Sequence, residues 1–199
     1  MAIFYRTNAQ SRQLEDSLLK RKIPYKIYGS VRFYDRVEVK DIISYLRILV
    51  NSDDDVSLAR ILNTPPRGIG KKTIDIIGSR ASSEKKSLFE IIEQSGLDLS
   101  RRAAQKLSSF VQIINSLKQM IKEGSSLDEV FDSLVHKIEY GSYLEKKYPE
   151  AHSDKMANVH ELGSALMEYE SMEANPSLAK WLKDISLDTT LNETISDEE

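Results

Sequence analysis

The chain has 199 residues, 40% of them hydrophobic and 30% charged, with 8 glycines, 5 prolines and no cysteine. That composition fits a helix-leaning globular protein and excludes disulfides and thiolate metal sites. No apolar run approaches the ~18 residues a membrane helix needs, and the first residues lack a signal-peptide pattern, so a cytoplasmic protein without membrane contact is expected.

In chain order, Ile3-Phe4-Tyr5 reads as a short buried strand. A helical stretch follows to about Lys22, with Leu14 and Leu18 one turn apart. Pro24 ends it, and Tyr25-Lys26-Ile27-Tyr28 reads as a second strand closed by Gly29. One βαβ crossover cannot bury both faces of its sheet without further strands, so the chain is expected to start inside a larger domain. Val39, Ile42, Ile43, Leu46, Leu49 and Val50 recur at helical spacing and predict an amphipathic helix from about Val37 to Val50. Asp53, Asp54 and Asp55 suit the start of the next helix, about Val56 to Leu62. Further helices are expected over Thr73–Arg80, near Ser87–Gln94 and over Ser100–Lys122, the last closed by Gly124. Ser126 with Glu129 forms a capping-box pattern that opens a helix through about Glu139. Pro149 lies in a loop before a helix at about Asp154–Met172. Asn175-Pro176 reads as a cap and first-turn proline for a final helix through Trp181 to about Ile185. Residues 188–199 form an acidic tail expected to be poorly ordered.

The most informative segment runs from Leu58 to Ile74. Pro65 and Pro66 end one helix; Gly68 and Gly70 allow backbone angles and close approach that side chains block. Ile69, between them, is placed to plug the groove between two helices. The second helix starts near Lys71 or Thr73 with unpaired amides facing outward, which with the helix dipole suit one phosphate. Arg67, Lys71 and Lys72 add charge, and the Thr73 hydroxyl can donate. Arg67, Gly68, Ile69, Gly70, Lys71, Lys72 and Thr73 thus form a helix-hairpin-helix candidate that reads phosphate, without sequence preference and with sensitivity to salt. A nucleotide-binding loop would need a glycine five positions before Gly70-Lys71 and a preceding strand. Pro65 stands there, and a helix precedes it. His136, His152 and His160 lack metal-ligand spacing. Charge is uneven: residues 1–80 hold 15 Lys/Arg against 9 Asp/Glu, and the remainder 13 against 22, within a net charge of −3. A basic face meeting a polyanion accounts for this, as does uneven sampling of a solvated surface.

Three segments together resemble consecutive motifs of UvrD/PcrA/Rep-type superfamily 1 DNA helicases: Tyr5-Arg6-Thr7-Asn8-Ala9-Gln10-Ser11-Arg12; Tyr25 through Gly29 to Arg32-Phe33-Tyr34-Asp35-Arg36 and on to Asp41; and Asn63-Thr64-Pro65-Pro66-Arg67-Gly68-Ile69-Gly70. The close likeness covers about the first 77 residues, and Ser30 departs from it, since many relatives carry a second glycine there. The resemblance implies a mainly α fold: a helical 2B-type accessory domain with a helix-hairpin-helix, preceded by a βαβ piece of an incomplete RecA-like motor domain. Residues 1–28 would be the leading part of motor domain 2A, 29–187 the 2B insertion and 188–199 the tail. It implies that Arg6, Asn8, Ser11 and Arg12 lie near the single-strand track or the motor-domain interface. Arg32, Phe33, Tyr34 and Arg36 would lie near the single-strand/duplex junction; Phe33 and Tyr34 serve equally as core residues anchoring a hinge. The parent would be an ATP-dependent 3′–5′ helicase of DNA repair or replication that uses ATP and Mg2+, while this piece, without Walker loop or magnesium carboxylates, would bind neither and be inactive alone. Its partners would be DNA at a single-strand/duplex junction and the remaining helicase domains, with room for protein partners on the acidic helical half. Trp181, with Leu178 and Leu182, reads as a core stripe or a docking patch. Two other readings fit the hairpin: a stand-alone helix-hairpin-helix module of a repair enzyme, and a protein-interaction domain in which the hairpin is structural.

Overall fold

Where each helix starts follows from local capping chemistry in the computed structural model, which describes residues 2–21, 23–94 and 96–186. These fall into two compact units, Met1–Ile42 with Leu144–Glu199, and Ile43–Tyr143.

In the first unit a 3-10 turn at Asn8–Gln10 leads into α1, Ser11–Lys20. The Gln10 side chain accepts from the amides of Arg6 and Thr7, at 3.0 and 3.2 Å, and so fixes the entry. A second 3-10 turn, Phe33–Asp35, precedes α2, Val37–Val50, whose boundaries match the sequence expectation. Residues 2–5 and 23–27 form no strand, and no strand occurs among the described residues. The βαβ expectation is corrected there: a strand exists only through a paired ladder, and neither segment has one. Phe4 and Tyr28 are accordingly 93% and 88% exposed. The same unit carries α9, His152–Met172, and a helix at 178–186. The latter starts two residues later than Asn175-Pro176 suggested, because Ser177 caps it: the Ser177 Oγ accepts from the Lys180 amide at 3.3 Å. Its stripe of Leu178, Trp181, Leu182 and Ile185 is buried, as are Val159, Leu162 and Leu166 of α9. The acidic tail at 188–199 lies outside the described residues.

The second unit runs from the later turns of α2 through α3 (Asp55–Ile61), α4 (Lys71–Glu84), α5 (Leu88–Glu93), α6 (Arg101–Glu123) and α7 (Leu127–Lys137). Each of four starts has an oxygen on an amide three residues on: Asp54 on Ser57, Ser87 on Glu90, Ser100 on Ala103 and Ser126 on Glu129. Such caps satisfy amides that have no intrahelical acceptor. Ser87–Glu90 and Ser126–Glu129 are reciprocal boxes. Gly124 ends α6 in the left-handed region at φ +84°. Helix α4 packs on α5, α5 on α6 and α6 on α7, over a core that includes Tyr45, Leu58, Ile61, Ile77, Phe89, Phe110, Ile114 and Leu134. A further helix, α8 (Tyr140–Lys147), follows Glu139, whose φ is +52°; the sequence reading had no element there.

Candidate nucleic-acid interface

Helix α3 ends at Ile61 and α4 begins at Lys71, so the intervening turn must satisfy the last carbonyls of one helix and leave the first amides of the next. Two side chains take up the inward part of that task. The Asn63 Oδ1 accepts from the amides of Arg67 at 2.8 Å and Ile69 at 3.3 Å, drawing the loop back on itself. The Arg67 Nη1 donates to the carbonyls of Ile61, Leu62 and Pro65, at 2.9, 3.3 and 3.2 Å, and Nη2 donates to the Tyr45 hydroxyl. The guanidinium carbon sits 5.0 Å from the Phe110 ring centroid and 5.8 Å from that of Tyr45, distances at which a cation gains from the ring quadrupole. Tyr45 in turn donates to the Thr64 carbonyl at 2.6 Å. Ile69 is 1% exposed.

The outward part of the turn is open. Gly68 and Gly70 are exposed, as are the side chains of Lys71 and Lys72. Among the described residues no acceptor faces the amides of Gly68, Gly70, Lys71 or Lys72, whereas the Thr73 amide turns in to the Gly70 carbonyl at 3.0 Å. The two glycines do different things. Gly68 has φ +74°, which L side chains rarely adopt; Gly70 has an ordinary φ of −81°. A Cβ built on either meets nothing within 4 Å, so the space in front of both is solvent. The first turn of α4 contains no acidic residue, leaving the positive end of the helix facing that space with two lysines beside it. Along the same helix Lys72, Asp75, Ile76, Ser79, Arg80 and Ser83 line a shallow depression.

The residues of the first two motifs divide between surface and interior of the first unit. Arg6 and Asn8 are exposed, and Arg32 and Tyr34 are half-buried. Ser11, Arg12, Phe33 and Arg36 are buried and held by the chain itself. The Arg36 guanidinium donates to the Asn8 carbonyl (2.7 Å), the Asn158 Oδ1 (2.8 Å) and the Ser11 Oγ (2.8 Å), and lies 5.3 Å from the Phe33 ring centroid. Burial pushes its pKa down, with Glu15 and Glu38 opposing. Glu15 receives the Ser11 hydroxyl (2.7 Å), the Phe33 amide (3.1 Å) and the Tyr25 hydroxyl (3.2 Å). Burial still drives its carboxyl above the usual 4.5, because those bonds and Arg36 offset the lost hydration only in part. Glu38 is shared by the Asn158 Nδ2 at 2.6 Å and the Lys155 Nζ at 2.7 Å. Arg12 pairs with Glu161 at 2.6 Å, Glu168 at 3.0 Å and Asp16 at 3.0 Å. Burial opposes the charge of Arg12, but hydrogen bonds to Glu161 and Glu168 and the field of Asp16 leave its pKa raised.

Asn63, Tyr45, Glu15 and Asn158 had no assigned role in the sequence reading. Tyr45, Glu15 and Asn158 are polar groups serving distant segments, and nothing at their own positions in the sequence shows those partners. Asn63, four residues ahead of Arg67, had the strongest local signal, since asparagine side chains commonly bond nearby backbone amides.

Comparison with known proteins adds two findings. The family model described as UvrD-like helicase C-terminal domain matches residues 1–199. Relatives named ATP-dependent DNA helicase PcrA are 38% identical in Staphylococcus aureus (strain Mu50) and 39% in Staphylococcus epidermidis, each over 97% of this chain. The one from Bacillus subtilis (strain 168) is 36% identical over 100% of it. The chain spans 27% of the length of each of these relatives.

Proposed function

The chain belongs to the UvrD-like helicase C-terminal domain family, and on that premise we propose that it is the duplex- and junction-binding accessory part of an ATP-dependent 3′–5′ DNA helicase. The observation that carries this reading is the open turn before α4. Within five residues, four amides have no internal acceptor, and the two lysines and two glycines that carry them are exposed. An oxyanion there gains amide hydrogen bonds, the helix dipole and two cations together. No base edge is addressed, so residues 67–73 act as a helix-hairpin-helix that grips either strand's phosphates irrespective of sequence. The Thr73 hydroxyl supplies one further donor, and Ile69 fixes the angle at which the turn is presented.

In this reading residues 1–28 belong to motor domain 2A, and residues 3–5 and 25–28 become strands when the rest of that sheet is present. Residues 29–187 form the 2B accessory subdomain. Arg6, Asn8, Arg32 and Tyr34 face the single-strand side of the junction, where cations meet phosphates and an aromatic ring can stack on a base. Ser11, Arg12, Phe33 and Arg36 hold the backbone that presents them. ATP and Mg2+ belong to the parent enzyme. The turn does not fit a triphosphate loop: Pro65 stands where such a loop needs glycine, and helix α3, not a strand, leads into it. No group of three His, Asp or Glu suited to a metal occurs among the described residues. The duplex grip needs only this chain's own residues. Duplex binding with junction recognition suits a regulatory role in repair or replication.

Titration of the chain with duplex DNA at several salt concentrations tests this. Affinity is expected to fall linearly with log salt, by about 0.9 per phosphate neutralised. Lys71→Glu with Lys72→Glu, or Gly70→Asp, should weaken binding at least about tenfold while circular dichroism is unchanged, each lost charged contact amounting to about 1.5–3 kcal/mol. A folded, charge-reversed chain that binds as tightly as the parent would favour a protein-interaction domain.

A further inference from the structure

We propose that Arg67 holds the turn in shape rather than neutralising a phosphate, with Asn63 and Tyr45 as its fellow positioning residues. The proposal rests on the duplex-binding reading above and assigns the division of labour within that site. By sequence Arg67 is one of three cations around two glycines, and nothing separates it from Lys71 and Lys72. By geometry it is their opposite. Both lysines are exposed, with no acidic partner among the described residues, whereas the Arg67 Nη groups face inward onto three carbonyls and a phenol.

Two of those carbonyls, Ile61 and Leu62, belong to the end of α3, where the helix itself supplies no donor. The third, Pro65, lies within the turn. A single planar group thus ties the end of one helix to the loop that launches the next. The rings of Phe110 and Tyr45 flank it, and the Tyr45 hydroxyl passes the connection on to the Thr64 carbonyl. From the other side Asn63 takes up the Arg67 and Ile69 amides. With those two amides occupied and Ile69 buried, the amides left over are Gly68, Gly70, Lys71 and Lys72, none of which has an acceptor among the described residues. The arrangement sorts the turn's amides into those that build it and those it offers. Lysine cannot replace arginine here. A point-charge ammonium has neither the spread of donors nor the flat face that lies against the two rings.

The test compares the parent chain with Arg67→Lys, Arg67→Gln, Tyr45→Phe and Asn63→Ala, titrated with a short duplex DNA over a range of salt. Tyr45→Phe keeps the ring in the core and every charge in the protein. If Arg67 positions the turn, Arg67→Lys and Tyr45→Phe each bind about tenfold more weakly, since each loses a hydrogen bond to a charged group. Both keep the parent's salt slope, as does Arg67→Gln, while Lys71→Gln lowers the slope by about 0.9. The idea is overturned if Arg67→Lys and Tyr45→Phe bind like the parent and Arg67→Gln lowers the slope as Lys71→Gln does. Should the Arg67 variants not fold, Tyr45→Phe and Asn63→Ala decide alone, and parent-like affinity in both rejects it. Should the parent not bind duplex, the reading of the preceding subsection fails instead. Amide exchange without DNA then decides this one: faster exchange at Arg67 and Ile69 in Tyr45→Phe and Asn63→Ala supports it, and unchanged rates overturn it.

Discussion

Gly68 and Gly70 look alike in sequence and carry opposite demands. Gly68 sits at φ +74°, so Gly68→Ala should lower stability by about 1–2 kcal/mol, the usual cost of forcing a Cβ into the left-handed region. Gly70 has room and an ordinary φ. Gly70→Ala should leave the denaturation midpoint within about 0.5 kcal/mol of the parent and weaken duplex binding by placing a methyl group where a phosphate oxygen must approach. Denaturant melts and duplex titrations on the two variants check both halves, and equal destabilisation by the two would contradict the distinction. The burial of Ile69 and the exposure of the glycines and lysines were legible because each follows from a property of its own residue type. Arg67 was only half legible: sequence reveals a charge but not the direction in which its donors face. Buried Arg12 and Arg36 show the same gap, since cations in a motif read as ligands until their carboxylate and carbonyl partners are located.

At the scale of elements, capping residues explain why helix starts were readable to within a residue or two. Asp54, Ser87, Ser100 and Ser126 are short oxygen-bearing side chains just ahead of apolar periodicity, and all four accept from the amide three positions on. Helix α8 escaped because it is eight residues long, carries Gly141 in its first turn and buries only Tyr140, Tyr143 and Leu144, too short a stripe to show a helical period. Long-range polar pairing was equally hidden. Glu15 of α1 takes the Phe33 amide and so joins the first helix to the turn before α2, with a pKa raised chiefly by burial. A raised folded-state pKa means that its contribution to stability is complete below the ordinary 4.5 and is lost as pH rises through the higher value. Glu15→Gln cannot ionise. The stability of the parent relative to this variant should therefore decline as pH increases from about 4.5, in urea melts taken at successive pH values. A difference that stays flat or grows with pH would show that Glu15 is not held as described.

For the whole chain, net charge is the least informative number. The total of −3 conceals an excess of six positive charges in residues 1–80, the part that contains the open turn and the first two motifs. Net charge alone argues weakly against a polyanion; its uneven distribution fits one as well as it fits uneven sampling of a solvated surface. The segments 3–5 and 25–28 form no strand here for a reason that also lies at this scale. Apolar β-branched and aromatic residues specify a strand only where a sheet exists to receive it, and here Phe4, Tyr28 and Val31 remain exposed.

The central claim is that four particular backbone amides are offered to phosphate. An amide-resolved NMR titration of the isotope-labelled chain with a short duplex tests it most directly. The largest and earliest shifts should fall on the amides of Gly68, Gly70, Lys71 and Lys72, disappear at high salt and be absent from Lys71→Glu with Lys72→Glu. If those four amides stay put while duplex binding shifts resonances elsewhere, the turn before α4 is not where this protein meets DNA.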